Sequence, residues 1–163
     1  MVAGAAGAAA AGATAGVGGC GPHPAVATPG PAPAASGFFD GWRGWEKMNA
    51  RPFHSEGHTA GKFVVDVYVN GVGAEGFKAK KNPLPVGTVI IKEHFHEKAD
   101  GGAGDAALLT SMEKKAPGYD AANGDWEYAK TSPDGAKVDL RGKEKVCVDC
   151  HVTAPGDYVF GMP

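Results

Sequence analysis

The sequence predicts an α+β fold, mainly β: one antiparallel sheet packed with short helices and closed by a C-terminal cysteine motif. Three observations carry that prediction. "KFVVDVYVN" and "GTVIIKEHFH" alternate with a period of two residues, the spacing of strands with two distinct faces. Two further apolar runs, "ALLTSMEKK" and "DWEYAK", are set off by Gly-rich and Pro-containing turn sequence. No apolar pattern keeps a helical period long enough for four long helices.

The 163 residues suffice for one domain. Charge divides them unevenly: the 16 Lys and Arg and the 18 Asp and Glu all lie from Asp40 onward, and residues 1–37 hold none. Residues 38–163 are therefore the expected folded unit, of a size that buries a single core. A net charge of −2, with no basic stripe among aromatics, speaks against a nucleic-acid partner.

Each element follows from local sequence. "FFDGWRGWEKMNA" (38–50) spaces Phe38, Trp42, Trp45 and Met48 as a short amphipathic helix does, although two glycines weaken it. In the first strand Phe63, Val65, Val67 and Val69 share one face, with Val64, Asp66, Tyr68 and Asn70 on the other. "GVGAEGFKAKK" is a helix of modest quality, and the two prolines of "NPLPVG" turn the chain. In the second strand Val89, Ile91, Glu93 and Phe95 alternate with Ile90, Lys92, His94 and His96. "ADGGAGDA" is an expected loop, and "APGYDAANG" joins the last two strands.

The uncharged start, "MVAGAAGAAAAGATAGVGGC", is mostly Ala and Gly, which supply little transfer energy for spanning a bilayer. A secretory signal over residues 1–20 is the stronger reading, and Val17-Gly18-Gly19-Cys20 is similar to a bacterial lipobox that would lipidate Cys20. No Lys or Arg precedes Cys20, so a tail with an isolated cysteine stays open as the alternative. Residues 21–37, rich in Pro and Ala, form an expected semi-rigid linker. Together these segments predict a periplasmic domain whose only membrane contact is a lipid anchor.

The chemistry concentrates in Cys147-x-x-Cys150-His151. A structural zinc site wants four N or S ligands, and the adjacent side chains of Cys150 and His151 point in different directions. A thioredoxin-like dithiol opens a helix early in a βαβ unit, whereas this motif ends a strand-rich chain. A simple disulfide stays open, since export permits it. Haem c accounts for all three residues together: both thiols add to the haem vinyl groups, and His151, on the short turn that follows, becomes the axial iron ligand. Small electron-transfer cytochromes place the motif near the N-terminus with a Met ligand well downstream; here the single Met that follows is Met162.

"FVVDVYVN", "LPVGTVIIKE", "GDWEYA", "CVDCH" and "DYVF", in that order, resemble the cytochrome P-460 family, which includes the β-type cytochromes c′. The resemblance spans residues 38–163 and implies an antiparallel sheet on short helices, often dimeric. It also implies a haem c iron held by His151 alone, open on its far side to small molecules such as nitric oxide or hydroxylamine. Members that oxidise hydroxylamine join a lysine to the haem macrocycle, and alignment gives Lys92; Lys78, Lys80 and Lys81 are poorer candidates. In those enzymes a distal carboxylate moves protons. Its aligned position here is Leu109, with Asp105 and Glu113 the nearest carboxylates, which weakens that reaction.

Lys92, His94 and His96 share a strand face, and the two histidines are expected to be solvated. His54 and His58 are expected at the surface or in structural roles. Phe63, Phe77 and Phe95 are candidates for lining the pocket. Glu93, on the apolar face, is either a paired buried carboxylate or a sign of exposure there. Three functions follow: binding of nitric oxide or related nitrogen oxides with redox activity, hydroxylamine oxidation at a Lys92-linked haem, or electron transfer to a redox partner protein.

Overall fold

The computed structural model describes residues 40–55, 57, 58 and 62–162. The expected signal segment, Cys20, the 21–37 linker and Phe38 lie outside the described residues. Among the described residues no helix is long and apolar enough to cross a membrane.

Among the described residues seven strands form one sheet: β1 (Glu46–Lys47), β2 (Phe53–His54), β3 (Phe63–Val69), β4 (Val89–Glu97), β5 (Ala103–Lys114), β6 (Trp126–Thr131) and β7 (Val138–Gly142). Their order is β1-β3-β4-β5-β6-β7, with β2 also pairing β3, and every pairing is antiparallel. Two short helices, α1 (Ala74–Lys78) and α2 (Lys145–His151), complete the fold, which is the mainly β architecture that the alternating segments predict.

The register creates two faces that do different work. Val65, Val67 and Val69 pair with His94, Lys92 and Ile90, while Ile90, Lys92 and His94 pair with Met112, Thr110 and Leu108. Met112 in turn pairs with Tyr128, and Lys114 with Trp126. Cross-strand partners point the same way, so these residues share one face. Its core gathers Val65, Val67, Val69, Ile90, Met112, Trp126 and Tyr128 with Phe77 of α1, and Cys147 and Val148 of α2 pack against it.

The opposite face buries Val89, Ile91, Leu109 and Ala129 under Trp42. Glu93 sits here, 5% exposed, with Arg43 Nη2 donating to its Oε1 at 2.7 Å. Of the two readings of Glu93, the paired buried carboxylate is the one observed. Asp66 is held similarly, by Lys47 at 2.8 Å and Asn49 Nδ2 at 2.9 Å.

Three elements depart from the sequence expectations. The helix over 38–50 is only a 3₁₀ turn, Trp42–Gly44, followed by β1. Gly41, at φ 70°, stands where a helix would need a right-handed residue, and the aromatic spacing instead lets Trp42 pack edge-on against Tyr68 at 4.9 Å. β5 begins at Ala103, inside the expected glycine-rich loop, because a register shift near His94 and Phe95 lets "AGDA" continue the pairing. β7 carries no apolar alternation, only one half-buried leucine, and pairs as an exposed edge.

Candidate functional site

α2 brings the cysteine motif onto the inner face of the sheet. Lys145 and Asp149 pair along its outer surface at 2.6 Å, while His151, at its end, turns inward and is 7% exposed. His151 Nδ1 lies 2.7 Å from the carbonyl oxygen of Tyr158. A carbonyl only accepts, so Nδ1 carries the proton, and Nε2 is left with its lone pair. An imidazole held in this way by a backbone carbonyl has the tautomer and orientation of a metal ligand. The sequence offered the role of His151 but not this support. "DYVF" contributes through a main-chain oxygen.

The carbonyl is aimed by unusual backbone. Asp157 and Tyr158 are both left-handed, at φ 46° and 62°. For non-glycine residues that conformation costs on the order of 1–3 kcal/mol each and persists only where the surroundings hold it. Here the Asp157 carboxylate accepts from Leu84 N at 2.7 Å and from the buried Lys114 ammonium. Trp126 Nε1 donates to the Asp157 carbonyl at 2.8 Å, and Tyr158 Oη to that of Ala122 at 3.0 Å. The Tyr158 ring lies where a Cβ on Gly124 would come within 2.4 Å, so glycine is required there.

Cys147 and Cys150 are both half-buried and neither is in a disulfide, so the plain disulfide reading does not describe this structure. Desolvation raises the Cys147 thiol, with Glu144 adding to it. Among the described residues no cluster of three or more His, Cys, Asp or Glu forms a metal site. Two cavities, of about 780 and 300 Å³, open against the motif. Their volumes fall in the ~300–1,000 Å³ range of ligand and cofactor pockets. Both are lined by Gly57, His58, Lys92, Cys150 and His151, which therefore stand where the two meet.

Lys92 is at this junction, its Nζ donating to Ser55 Oγ at 3.3 Å. Burial holds its pKa below the usual lysine range, opposed by the nearby Cys150. His94 corrects an expectation: it is fully buried rather than solvated, with Nε2 3.0 Å from Thr110 Oγ1. Burial first, then Lys92 and Lys130, lower its pKa to about 4. His96 is exposed, as expected. His58, expected at the surface or in a structural role, is half-buried, and burial followed by Lys92 lowers it to about 3.

Other expected residues are dispersed. Leu109, aligned with the distal carboxylate, faces the far side of the sheet with Ile91 and Ala129. Asp105 is exposed, and Glu113 pairs with Lys115 at 3.2 Å. Among the described residues lining either cavity there is no Asp or Glu. Phe77 lines the larger cavity, whereas Phe63 stacks edge-on to His94 and His96, and Phe95 belongs to the Glu93 face. Lys80 and Lys81 line the larger cavity, and Lys78 instead pairs with Glu46 and Glu75.

Tyr128, not among the residues expected from the sequence, has its ring centroid 5.1 Å from that of His151. Its strand alternation pairs it with Met112 on the inner face, and that signal was available. Desolvation, followed by Cys147, raises its pKa above the usual tyrosine value.

These residues fit haem c. Both thiols are free, Cys150 lining both cavities and Cys147 the smaller one, and beside them a histidine keeps one nitrogen lone pair while its other nitrogen is engaged. When bound, haem supplies an iron that takes small ligands and changes oxidation state. Cys147 and Cys150 would hold the ring and His151 the iron. No curated protein sequence matches the chain. A match to the family described as Cytochrome P460 covers residues 39–161, nearly the whole domain. The chain thus belongs to the cytochrome P460 family, membership that implies a c-type haem protein.

Proposed function

We propose that this chain is an exported c-type cytochrome that binds nitric oxide or a related small nitrogen oxide opposite His151 and exchanges electrons with a redox partner. One observation carries the reading: His151 Nδ1 is committed to the Tyr158 carbonyl, in a cavity whose described lining lacks carboxylates. The first half of that observation suits iron ligation. The second suits a neutral diatomic ligand better than a substrate whose oxidation needs protons removed by a carboxylate base.

Cys147 and Cys150 would hold haem through thioether bonds to its two vinyl groups. His151 holds its position through the Tyr158 carbonyl. His94 and His58, neutral at pH 7, keep the cavity wall free of added positive charge. The test is the holoprotein itself. Haem should remain on the chain after denaturation, and the ferrous protein should bind nitric oxide stoichiometrically with a changed optical spectrum. Haem released by denaturant would overturn the reading, and so would a spectrum indifferent to nitric oxide.

A second reading, hydroxylamine oxidation, draws support from Lys92, a half-buried amine lining the same cavities as Cys150. A lysine–haem bond would give a strongly red-shifted Soret band in the reduced protein, absent in Lys92→Met. Without that shift the enzyme reading fails. We place the domain in the periplasm, tethered through Cys20 and the 21–37 linker and able to pair as a homodimer. Cys20→Ala should abolish incorporation of labelled lipid; unchanged labelling would refute the tether.

A further inference from the structure

The larger cavity carries one sign of charge. Its described titratable lining consists of Lys80, Lys81, Lys92, His54, His58 and His151, with no Asp or Glu. Four of these are already accounted for. His54 Nε2 lies 3.2 Å from the Glu97 carboxylate, and His151 is engaged with the Tyr158 carbonyl. Burial keeps His58 neutral and holds Lys92 below the usual lysine range. Lys80 and Lys81 differ. Both are exposed, and neither belongs to an ion pair among the described residues. Glu75, whose carboxylate feels Lys81, is paired with Lys78.

The backbone presents these two side chains at some strain. α1 ends in a Schellman turn, with Lys81 N donating to the Gly76 carbonyl at 2.9 Å and Lys80 N to that of Phe77 at 3.1 Å. The first residue past the helix in that motif is left-handed and usually glycine; here it is Lys80, at φ 52°. A side chain kept where the local rule favours none is the kind of departure found at functional sites. The next residue fixes where the turn sits. Asn82 lies so close to Gly156, in the segment after α2, that no Cβ would fit on that glycine. The lysine turn is thereby held against the chain that leads to the Tyr158 carbonyl.

Haem brings the complementary charge, since it carries two propionate groups on the edge opposite its two vinyl groups. The vinyl edge belongs at Cys147 and Cys150. Cys147 lines only the smaller cavity, whereas Lys80 and Lys81 line only the larger. The two lysines thus stand on the side of the junction away from Cys147. We infer that Lys80 and Lys81 hold the haem propionates, their ammonium groups pairing with the two carboxylates in the larger cavity. This rests on the haem reading above and adds the residues that anchor the edge of the ring the cysteines leave free. Two cations beside the carboxylates also offset negative charge that would favour ferric iron, so they hold the reduction potential up.

The test is a titration of the haem carboxylates in the holoprotein, followed by nuclear magnetic resonance of the diamagnetic ferrous carbon monoxide complex. Growth on δ-aminolevulinate labelled with carbon-13 in its carboxyl group marks both propionates. In wild type at low ionic strength they should titrate below the range of a free carboxylic acid. In Lys80→Gln/Lys81→Gln at least one propionate pKa should rise by roughly 0.5–1 unit, a shift that high salt shrinks. The midpoint potential of that variant should fall. Lys80→Gly should unfold at a higher urea midpoint, having lost the left-handed strain, and still raise a propionate pKa; a helix end with only a structural role gives the first without the second. Titrations that superimpose in wild type and the double variant would overturn the assignment even if the potential falls, because bare charge acts on iron from a distance. Wild-type propionates that titrate like a free carboxylic acid would overturn it without any variant. Absence of covalent haem from wild type would sink the haem reading itself, whereas covalent haem with unmoved propionates sinks only the role of the two lysines.

Discussion

His94 shows how much a single buried side chain can cost. Its ring is wholly enclosed, Nε2 meets Thr110, and Nδ1 is buried without a hydrogen-bond partner among the described residues. Burial, with Lys92 and Lys130 nearby, holds its pKa near 4 rather than 6.5. The folded state therefore disfavours the proton, and between those values the unfolded chain binds more protons than the folded one. Stability from this residue is complete above pH 6.5 and is lost as pH falls toward 4, by roughly 3 kcal/mol in all. His94→Gln should flatten the pH dependence of the urea midpoint between pH 6.5 and 4 relative to wild type. A variant whose curve runs parallel to wild type across that interval would show that His94 does not titrate in this way.

At the level of elements, alternation explains both what was readable and what was not. β3 and β4 bury residues on both faces, and their Val and Ile runs mark them unambiguously. The inner face of β4 was readable as a set, Ile90, Lys92 and His94, but its burial was not. Polar residues normally mark solvent, and only the arrival of α2 over that face encloses them. The 3₁₀ turn at Trp42–Gly44 escaped for the opposite reason, since aromatics three apart fit a helix and a capping turn equally well. His58 stood out in no pattern, because a loop residue has no period to betray it.

The same turn carries a prediction. Arg43 is largely exposed, yet it is the hydrogen-bond partner of the buried Glu93 carboxylate at 2.7 Å and lies 4.3 Å over the Trp42 ring. Arg43→Ala leaves a buried acceptor poorly satisfied, a loss of about 1–3 kcal/mol. Glu93→Gln keeps an acceptor and removes the charge, so its cost should be smaller. Combining Arg43→Ala with Glu93→Leu should recover part of the loss, because the buried charge is gone. Chemical denaturation of the four proteins checks this, and an Arg43→Ala midpoint equal to wild type would refute it.

At the scale of the molecule, the segment after α2 ties the helix to the sheet and the sheet to the site. Asp157 is the knot. Its carboxylate meets Lys114 on β5 and the backbone of Leu84 ahead of β4, and its own carbonyl accepts from Trp126 on β6. Both charged partners are nearly enclosed, at 9% and 5% side-chain exposure. Removing one member of a buried ion pair strands the other, which costs about 3–5 kcal/mol. Asp157→Asn should therefore lower the unfolding free energy by that amount while the sheet, whose ladders do not involve Asp157, keeps its far-ultraviolet dichroism. It should also loosen Tyr158, whose left-handed backbone has no other charged anchor among the described contacts, and with it the carbonyl that orients His151. The holoprotein would then show a broadened or mixed spin-state signal, although Cys147 and Cys150 would still hold haem. Asp157→Asn with wild-type stability would mean that the Lys114 pair contributes nothing net. A destabilised variant with an unchanged haem spectrum would mean that Tyr158 is held by the remaining contacts of Trp126 and Ala122 alone.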